Sequence, residues 1–528
     1  MNKLYDYYKH DKLNSFKELL EYNYKKDKNA EAFIYNNKKK EKVVKTYEDF
    51  YKDVLSTNNF LKKRYNNQHI ALIGENTYEY LVLFFGIVIS GNIAVIIDKD
   101  LNEDKVIELL KKSDTKIIYY SENYCELDSL KKKFEMHNIE IPSLEKNSNR
   151  NFENYKRKEK EAVIFFTSGT TGDYKGVMLS ENNILSDIYS SCSLFKPDGL
   201  AFSVLPFHHA FGLITGVLMP FYYKVPIFLN RSLKNLLLDM QISKPNTMFV
   251  VPVFIENFYK QIWKNARENK HDYMLKSMIK ISNNLLKIGI DIRKILFKSI
   301  HKSFGGNLKY IICGGAYLDK KYIKWFRSIG INILNGYGIT ECSPVVAVNR
   351  NHYYKDGSVG QIGRDIDIKI IDNEVYVKGE NVMLGYYKNK KATEEVFKDG
   401  YFNTEDFGYV DKHGFLYITG RKKNLIILSN GENISPEQIE AKLEKNKGVN
   451  EVIVYEKDNK LIAEIYPTED YLGNQNYFNS LIYKYNLLVP KNHQIAFVTL
   501  RMDEFPKNNN RKILRNVVME EKNERRNN

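Results

Sequence analysis

Cysteine is scarce in this sequence, which has four cysteines among 528 residues. No two of them form a Cys-x-x-Cys pair, so the sequence gives no sign of a metal–thiolate site, and their spacing is unlike a disulfide framework. The first twelve residues carry charges and tyrosines where a secretion signal needs an apolar stretch. The sequence therefore predicts a reducing compartment and a cytoplasmic location.

An uninterrupted hydrophobic run long enough to cross a membrane is also lacking. The strongest candidate, Tyr80 to Ile97, contains about 18 residues, close to the minimum for a span. Gly86, Gly91 and Asn92 interrupt it, and the β-branched end stops at Asp98. The pattern predicts a buried helix, a turn and a buried strand. Peripheral contact with a membrane stays open.

Positive charge is plentiful, with a formal net charge of +15 and a pI near 9.1. Basic surfaces gather polyanions such as nucleic acid or anionic lipid. Here the lysines are scattered, and Lys, Asn, Ile and Tyr are abundant together, as expected of an A/T-rich coding sequence. With no basic-aromatic module in view, we predict no nucleic-acid partner.

Short apolar segments alternate with helical stretches through the first part of the chain. The predicted strands are His69 to Ile73, Ala94 to Ile97, Lys116 to Tyr120, Ala162 to Phe166, Ala201 to Leu205, Thr247 to Val251 and Tyr310 to Ile312. This alternation predicts an α/β fold with a largely parallel sheet. A basic helical insertion is predicted between residues 254 and 304.

Short alternating strands replace this pattern after residue 367, which predicts a β-rich subdomain. A compact α+β unit of roughly a hundred residues follows a predicted hinge just after Gly420. We therefore predict a large N-terminal domain of residues 1–421, with mixed and parallel sheets sandwiched by helices, and a small C-terminal domain of residues 422–528.

A run of small polar residues follows the strand predicted to end at Phe166. It consists of Thr167, Ser168, Gly169, Thr170, Thr171, Gly172, Asp173, Tyr174, Lys175 and Gly176. The glycines let backbone N–H groups approach an anion, and the hydroxyls and Lys175 donate to phosphate oxygens. The run is not a Walker A loop, because Lys175 is followed by glycine. The alternative interpretation is a flexible hairpin.

Two further glycine-containing motifs follow predicted strands. They are Gly314-Gly315-Ala316 and Asn335-Gly336-Tyr337-Gly338-Ile339-Thr340-Glu341. The carboxylate of Glu341 is an oxygen ligand suited to Mg²⁺, which shared with phosphate would neutralise developing charge. The alternative for the longer motif is a glycine turn with a helix-capping threonine.

In this order the motifs resemble the adenylate-forming superfamily, which includes acyl-CoA synthetases, luciferases and peptide-synthetase adenylation domains. The resemblance covers nearly the whole chain and implies that residues 167–175 hold the β- and γ-phosphates of ATP. It implies that Gly314, Gly315 and Ala316 flank adenine, and that Tyr337, between Asn335 and Gly338, stacks on it. Thr340 and Glu341 would lie near the α-phosphate and Mg²⁺.

Further resemblance concerns Asp406 and Arg421, which match a ribose-binding carboxylate and a nucleotide-contacting arginine. The sequence departs from the family at Glu405, where glycine is usual, and at Tyr174, where proline is usual. An extra negative charge beside a nucleotide site puts the local geometry in doubt.

The late segment Phe505 to Arg515 resembles the motif that carries the family's catalytic lysine, which is then Lys512. A cation there would offset repulsion between a carboxylate and the α-phosphate. The segment departs from the family at Asn508 and Arg511. By the same resemblance, Lys423 is the hinge of a mobile small domain, and Gly431 faces CoA.

The acid-binding side is less distinct. The segment Pro206 to Gly212 resembles the family's acid-site segment, so His208, His209 and Phe211 are candidates for the acyl pocket. A structural role for both histidines is an equally good interpretation. The helical insertion and the loops at 422–424 and 428–431 look most like the long-chain fatty acyl-CoA synthetase branch.

The sequence thus predicts an acid-thiol ligase that forms AMP, with Mg²⁺ as cofactor and ATP, CoA and a fatty acid as substrates. One rival is a ligase that loads a phosphopantetheinyl acyl carrier protein, because both acceptors present the same thiol. A rival from another class is a non-catalytic nucleotide- or acyl-binding homologue, suggested by Glu405 and Arg511. A P-loop ATPase ranks lower.

Overall fold

The computed structural model describes residues 6–121, 128–139, 152, 160–168, 174–230, 232–427, 433–457, 460–507, 513–515 and 517–519. The predicted phosphate-loop residues 169–173, Gly431 and Lys512 lie outside these ranges.

Helices and strands are numbered separately, in chain order. The α-helices are α1 (Phe16–Asp27), α2 (Tyr47–Arg64), α3 (Tyr78–Ile89), α4 (Glu103–Lys112), α5 (Asp128–Lys131), α6 (Glu181–Leu194), α7 (Met219–Tyr222), α8 (Leu236–Ser243), α9 (Pro252–Glu268), α10 (Asp272–Lys287), α11 (Arg293–Leu296), α12 (Lys298–Ser303), α13 (Lys320–Ser328), α14 (Lys390–Val396), α15 (Pro436–Leu443) and α16 (Gln475–Asn486). A π-helix spans Phe211–Leu218 and runs directly into α7.

The strands of the first half are β1 (Glu31–Asn36), β2 (Lys42–Thr46), β3 (His69–Ile73), β4 (Ile93–Ile97), β5 (Ile117–Tyr120), β6 (Glu135–Asn138), β7 (Val163–Ser168), β8 (Tyr174–Leu179), β9 (Ala201–Ser203), β10 (Ile227–Leu229), β11 (Thr247–Val250), β12 (Tyr310–Cys313) and β13 (Asn332–Gly338). Those of the second half are β14 (Val345–Val348), β15 (Gly360–Ile362), β16 (Ile366–Ile371), β17 (Glu374–Gly379), β18 (Gly385–Tyr386), β19 (Phe397–Lys398), β20 (Tyr401–Val410), β21 (Phe415–Arg421), β22 (Ile426–Ile427), β23 (Asn433–Ile434), β24 (Val449–Lys457), β25 (Lys460–Pro467) and β26 (Ile495–Leu500).

The described part of the first 421 residues contains two large sheets. One runs β16-β17-β20-β21-β15-β14-β13-β12-β11-β9-β10-β1-β2, with β19 beside β20, and is parallel from β13 to β1. The other runs β18-β8-β7-β4-β3-β5-β6 and is parallel from β7 to β6. Parallel sheets need apolar cover on both faces, and helices supply it. The predicted α/β class is confirmed, and the antiparallel strands of the β-rich subdomain begin at Val345, earlier than the predicted change after residue 367.

The apolar run at residues 80–97 folds as predicted from its interruptions. Helix α3 is buried on nearly every side, and β4 is buried along its whole length. Gly91 lies between them with φ +86°, a conformation that glycine adopts without a steric penalty. Within the described ranges, no helix is long and apolar enough to cross a membrane.

Helix α6 connects the two sheets and positions part of the site described below. It begins at Ser180, whose hydroxyl accepts a hydrogen bond from the backbone N–H of Asn183, while the Asn183 amide oxygen accepts one from the Ser180 N–H. Such a reciprocal cap satisfies two N–H groups that a helix start leaves unpaired. Nearly every side chain of α6 is buried.

The predicted helical insertion is confirmed as α9 to α12, which covers one face of the larger sheet and forms its own apolar cluster there. A separate apolar cluster, between Ile426 and Ile495, belongs to the last hundred residues. It packs α15 and α16 against the β24-β25-β26 sheet. Ser435 precedes α15 with proline at its first position, as the sequence predicted.

Candidate active site

A cavity of about 1070 Å³ lies where the two large sheets meet the last hundred residues. At one end its lining is charged or polar, with Lys175, Glu341 and Arg421 among the contributors. At the other end the lining is mostly apolar, with Phe195, Phe249 and other hydrophobic side chains. The two ends therefore suit a charged group and an apolar group of one or more ligands.

The predicted phosphate-binding segment begins and ends on a β-hairpin at the polar end. Strands β7 and β8 pair so that Thr167 lies opposite Lys175, and both residues line the cavity. Ser168 is the last residue of β7, and residues 169–173 lie outside the described ranges. The Lys175 ammonium lies 4.8 Å from the centre of the Tyr386 ring, which holds this cation by a cation–π contact.

The Tyr337, Asp406 and Arg421 side chains form a hydrogen-bonded group. The Tyr337 hydroxyl donates to Asp406 Oδ2 at 2.6 Å, and Arg421 Nε donates to Asp406 Oδ1 at 2.6 Å. Asp406 on β20 pairs directly with Arg421 on β21, which sets the geometry, and Asp406 is only 1% exposed. Burial, followed by the negative charge of Asp406, raises the pKa of Tyr337, so the phenol stays protonated.

Glu341 lies with Thr340 in a single turn of 3₁₀-helix directly after β13, and both residues line the cavity. The Tyr386 hydroxyl donates to Glu341 Oε1 at 3.0 Å. Burial, followed by the Glu341 charge, raises the pKa of Tyr386. A carboxylate held in place by one hydrogen bond, beside a phosphate-binding segment, fits Mg²⁺, which takes one or two carboxylates and shares phosphate oxygens.

The remaining predicted nucleotide residues are divided between the cavity wall and its surroundings. Gly314, Gly315 and Gly338 line the cavity, whereas the described part of the wall does not include Ala316, which is exposed, or Asn335, which is buried in β13. A Cβ on Gly338 would lie 2.0 Å from the backbone oxygen of Pro344, so only glycine fits there. The glycine at position 338 is therefore needed for the close approach of two backbone segments.

The predicted hinge residue is paired. Lys423 Nζ lies 2.8 Å from Glu405 Oε2, and both residues line the cavity. Glu405 has φ +58°, in the left-handed region where glycine is favoured, which explains why the family usually has glycine there. The Lys423 ammonium offsets the extra negative charge of Glu405.

The segment that contains the predicted catalytic lysine also contributes residues to the cavity wall. Lys512 lies outside the described residues, but Lys507 and Leu514, on either side of it, both line the cavity. An isolated antiparallel bridge pairs Lys507 with Ile513. The Lys507 ammonium also pairs with Glu451 and Glu504.

The predicted acyl-pocket residues His208, His209 and Phe211 line the cavity between its two ends. His208 is buried, and its Nε2 lies 3.4 Å from Asp98 Oδ1. Burial lowers the pKa of His208, against the opposing effect of Asp98, so the imidazole is neutral at pH 7. Phe211 is the first residue of the π-helix. Its ring would lie 3.3 Å from a Cβ on Gly314, so the predicted acyl-pocket segment packs against the Gly314 motif.

Two residues that position the site were missed from the sequence. Tyr386 connects the Lys175 cation with the Glu341 carboxylate. Asp187 on α6 accepts a hydrogen bond from the backbone N–H of Val345, which lines the cavity, at 2.8 Å. Neither residue belongs to a glycine-rich or charged motif, so the sequence held no signal for these roles.

Comparison with known proteins identifies a family and several relatives of this chain. The profile of a family described as AMP-binding enzyme matches residues 20–387, which is more than half of the chain. A long-chain-fatty-acid–CoA ligase 5 from Mus musculus is 31% identical over 378 residues, covering 65% of this chain and 55% of the relative. A long-chain-fatty-acid–[acyl-carrier-protein] ligase from Arabidopsis thaliana is 29% identical, covering 58% of this chain and 50% of the relative. The chain spans about half the length of the curated relatives it matches.

Among solved structures, O-succinylbenzoate coenzyme A synthetase from Bacillus subtilis, in complex with ATP and magnesium ion, superposes with a TM-score of 0.73. The match covers 94% of this chain and 98% of that protein, at 20% identity. At that identity the likeness establishes a shared fold, from the first large sheet to the last hundred residues.

Proposed function

This chain belongs to the AMP-binding enzyme family, and from that membership we propose that it activates a fatty acid as acyl-AMP and passes the acyl group to the thiol of CoA. The observation that carries the proposal is the composition of the cavity. Phosphate-binding, carboxylate and hydrogen-bonded tyrosine groups at one end continue into an apolar space at the other. The mouse relative, a long-chain-fatty-acid–CoA ligase, supports the choice of acid and acceptor.

In the first half-reaction, a carboxylate oxygen of the acid attacks the α-phosphorus of ATP, and the bond to pyrophosphate breaks. Thr167 and Lys175, with Ser168, Gly169, Thr170, Thr171 and Gly172 between them, hold the phosphates. Asp406 binds the ribose hydroxyls, assisted by Arg421, and Tyr337 stacks on adenine beside Gly314 and Gly315. Lys512 supplies positive charge between the two reacting anions.

Glu341 and Thr340 would hold Mg²⁺ in this site. The bound ion would neutralise charge on the phosphates. The Bacillus subtilis neighbour, in complex with ATP and magnesium ion, supports this assignment. The hydrogen bond from Tyr386 keeps the Glu341 carboxylate oriented toward the cavity.

In the second half-reaction, the thiolate sulfur attacks the acyl carbonyl, and AMP leaves. We propose that residues 422–528 rotate about Lys423 between the two steps, withdrawing Lys512 and presenting the Gly431 region to the pantetheine. Breaking the Lys423–Glu405 ion pair accompanies this motion. An exposed pair of this kind contributes about 1 kcal/mol or less, which is small enough to be reversible.

Acid-dependent exchange of pyrophosphate into ATP, measured before any thiol is added, tests the first step. Wild type should exchange with a fatty acid, and Lys512→Ala should lose the activity. Lys423→Pro should keep the exchange and slow thioester formation. Equal loss of both steps in Lys423→Pro would count against the rotation, and ATP binding without exchange for any acid would favour the non-catalytic alternative.

An acyl carrier protein is a second candidate acceptor. The Arabidopsis thaliana relative is named as a ligase of that kind, and the net charge of +15 suits an acidic carrier. Supplying CoA and carrier protein separately distinguishes the two.

The three cysteines that the structure describes are buried and free, which suits the cytoplasmic location predicted from the sequence.

A further inference from the structure

The basic helical insertion contains a repeat that the active site does not use. A lysine followed by an isoleucine recurs three times at intervals of seven residues, as Lys280-Ile281, Lys287-Ile288 and Lys294-Ile295. Isoleucine is among the residues most often buried in proteins. Here the isoleucines are 53%, 69% and 76% exposed in chain order, and although the structure describes all six residues, none of them lines the active-site cavity. Core packing therefore does not explain the repeat.

Helix α10 presents the first part of the repeat to solvent. Seven residues correspond to nearly two helical turns, so Met274, Ile281 and, directly after the helix, Ile288 lie along one side of α10. Met274 is 51% exposed. Leu275 and Ser282, on another side, are buried, and the Ser282 hydroxyl donates to a backbone carbonyl at the end of α13 at 3.3 Å. The buried side holds α10 on the protein, so the apolar row stays outside.

The turn between α10 and α11 exposes a further isoleucine in a fixed shape. Ile290 is 48% exposed, and Gly289 before it has φ +81°, which glycine adopts without a steric penalty. Arg293 donates to both carboxylate oxygens of Asp291, at 2.9 and 2.7 Å, and to the Arg327 carbonyl at 2.7 Å. The negative charge of the turn is thereby neutralised, and the turn is tied to α13.

Positive charge is concentrated in the same region. Residues 254–304 contain 11 Lys and Arg but only 4 Asp and Glu, so about a tenth of the chain carries nearly half of its net charge of +15. Among the described residues, the ion pairs of the insertion involve Lys264, Lys276 and Arg293, whereas the lysines of the repeat are exposed and take part in none. Their ammonium groups are therefore available to an anionic partner.

We propose that α10 and the turn between α10 and α11 dock on the surface of a membrane that contains anionic lipids. The exposed isoleucines enter the boundary between headgroups and acyl chains, and the lysine before each isoleucine of the repeat pairs with an anionic headgroup. Side chains that protrude to this extent do not line a groove for another protein, whereas a fluid lipid surface closes around them. The inference goes beyond the proposed function and does not depend on it, because docking needs no turnover.

Sedimentation with vesicles tests the docking. The full-length protein is mixed with vesicles of phosphatidylcholine, either alone or with one third of phosphatidylglycerol, and the bound fraction is measured at low and at high salt. We expect binding to the anionic vesicles to be at least about tenfold tighter, because each lysine near the surface adds to the attraction, and we expect high salt to weaken it. Equal affinity for both kinds of vesicle, or no binding to either, would overturn the proposal.

Two double variants separate the apolar contribution from the charged one. Ile288→Ser with Ile295→Ser removes exposed apolar side chains, so it should leave the fold intact and weaken binding to anionic vesicles by about tenfold or more. Lys287→Glu with Lys294→Glu should weaken binding by about the same factor and abolish the preference for anionic lipid. Binding like that of wild type in either variant would contradict the assignment to this surface.

A matched control is available in the last hundred residues. Leu487 and Leu488, at the end of α16, are 68% and 85% exposed, and Lys484 and Lys491 near them in the sequence are also exposed. Leu487→Ser with Leu488→Ser, and Lys484→Glu with Lys491→Glu, make the same chemical changes outside the insertion, so both should bind vesicles like wild type. Losses as large as those of the insertion variants would mean that overall charge and hydrophobicity decide binding, which overturns the proposed site.

Tryptophan fluorescence locates the contact. After subtraction of the wild-type signal, Ile295→Trp should shift its emission to shorter wavelength when anionic vesicles are added, because the indole leaves water for the headgroup boundary. Leu488→Trp should show no shift. An emission from Ile295→Trp that vesicles leave unchanged would overturn the proposal, even if the protein sediments with them.

A second copy of this chain is the other possible occupant of the surface. Wild type that self-associates in solution and binds no vesicles, with a monomeric Ile288→Ser, Ile295→Ser variant, would replace the membrane by a dimer interface. The insertion variants should keep acid-dependent pyrophosphate exchange without vesicles, since none of the substituted residues lines the cavity in the described structure. No exchange with any acid in any of these proteins contradicts the proposed function, whereas vesicle binding alone decides the docking.

Discussion

The two ends of the cavity differ in how their polar groups are satisfied. At the nucleotide end, Asp406 accepts hydrogen bonds from both Tyr337 and Arg421, and Glu341 accepts one from Tyr386. At the acid end, Ser191 and Thr215 have no partner for their hydroxyls among the described residues. The polar groups of the first end are held by hydrogen bonds within the protein, whereas these two hydroxyls are buried without such a bond from the described residues.

This difference fits the two parts of the proposed substrates, a charged nucleotide and an apolar acyl chain. A charged site must be preorganised, because reorienting buried carboxylates during a reaction is expensive. A pocket for an apolar part of a substrate can instead rely on the packing of hydrophobic side chains. Substitutions at four residues test the contrast.

Asp406→Asn should have the largest effect, because it breaks the central acceptor of the paired end. The variant loses the charge that holds the Arg421 guanidinium and the Tyr337 phenol. We expect kcat/KM for ATP in the exchange assay to fall about a hundredfold, equivalent to about 2.7 kcal/mol. A nearly unchanged kcat/KM, with ATP still bound, would show that the paired network is structural and does not serve the nucleotide.

Tyr386→Phe should come next, since it removes a single hydrogen bond of 3.0 Å to Glu341 and keeps the ring below Lys175. The loss of one such bond to a charged group predicts about a tenfold lower kcat/KM and a higher Mg²⁺ requirement. The adjacent Tyr387→Phe is the matched control, because the Tyr387 hydroxyl donates to Asp114 at the surface. Similar losses in both variants would contradict a positioning role specific to Tyr386.

Asp187→Asn tests a buried carboxyl group that has no charged partner among the residues that the structure describes. Burial raises the pKa of Asp187 well above its usual value, although the hydrogen bond from Val345 opposes the shift. The stabilisation from a raised pKa is complete below the unfolded value of about 3.9 and is lost as the pH rises through the folded pKa.

Wild type should therefore lose free energy of unfolding relative to Asp187→Asn as the pH rises from 5 to 8, by about 1 kcal/mol or more. The asparagine keeps an oxygen that accepts the Val345 N–H, so the fold is preserved. Denaturant unfolding of both proteins at several pH values measures the difference. A difference that is constant, or that moves the other way, would mean that the Asp187 carboxyl is ionised in the folded protein.

Substitutions of Glu405 should have the smallest effect, and the quantity they change is thermal stability. Glu405→Gly and Glu405→Ala both remove the ion pair with Lys423, but only glycine accepts φ +58° without a steric cost. We expect the glycine variant to be the more stable of the two by about 1 kcal/mol, which reverses their usual order in regular structure. Thermal unfolding compares them, and an alanine variant as stable as the glycine variant would contradict the strained backbone.

Much of the fold was predictable because its signals are local. Strand β3 was predicted at its observed limits, and β4 and β5 to within one residue, because buried parallel strands appear as short β-branched runs. Gly314, Gly315 and Gly338 of the predicted glycine motifs line the cavity. The roles of individual site residues, among them Lys512, stay predictions.

The rest of the site depends on contacts between distant parts of the chain. Tyr386 and Glu341 are 45 residues apart, and Asp187 and Val345 are 158 apart. No pattern within one segment predicts which strand edge or helix face will meet which motif. Glu405 was recognisable in the sequence as a departure from a family glycine. Its ion pair with Lys423 was not, because it depends on how the two segments fold together.

The π-helix at Phe211–Leu218 makes the acid end unusually sensitive to changes in chain length. A π-helix bonds each N–H to the carbonyl five residues back, whereas an α-helix uses the fourth, so one deleted residue converts the first into the second. Such a deletion would narrow the turn around Thr215, while the side chains after it would keep their direction, because the narrower turn absorbs the missing residue. Insertion or deletion of a single codon in this segment would therefore change the local shape of the cavity wall.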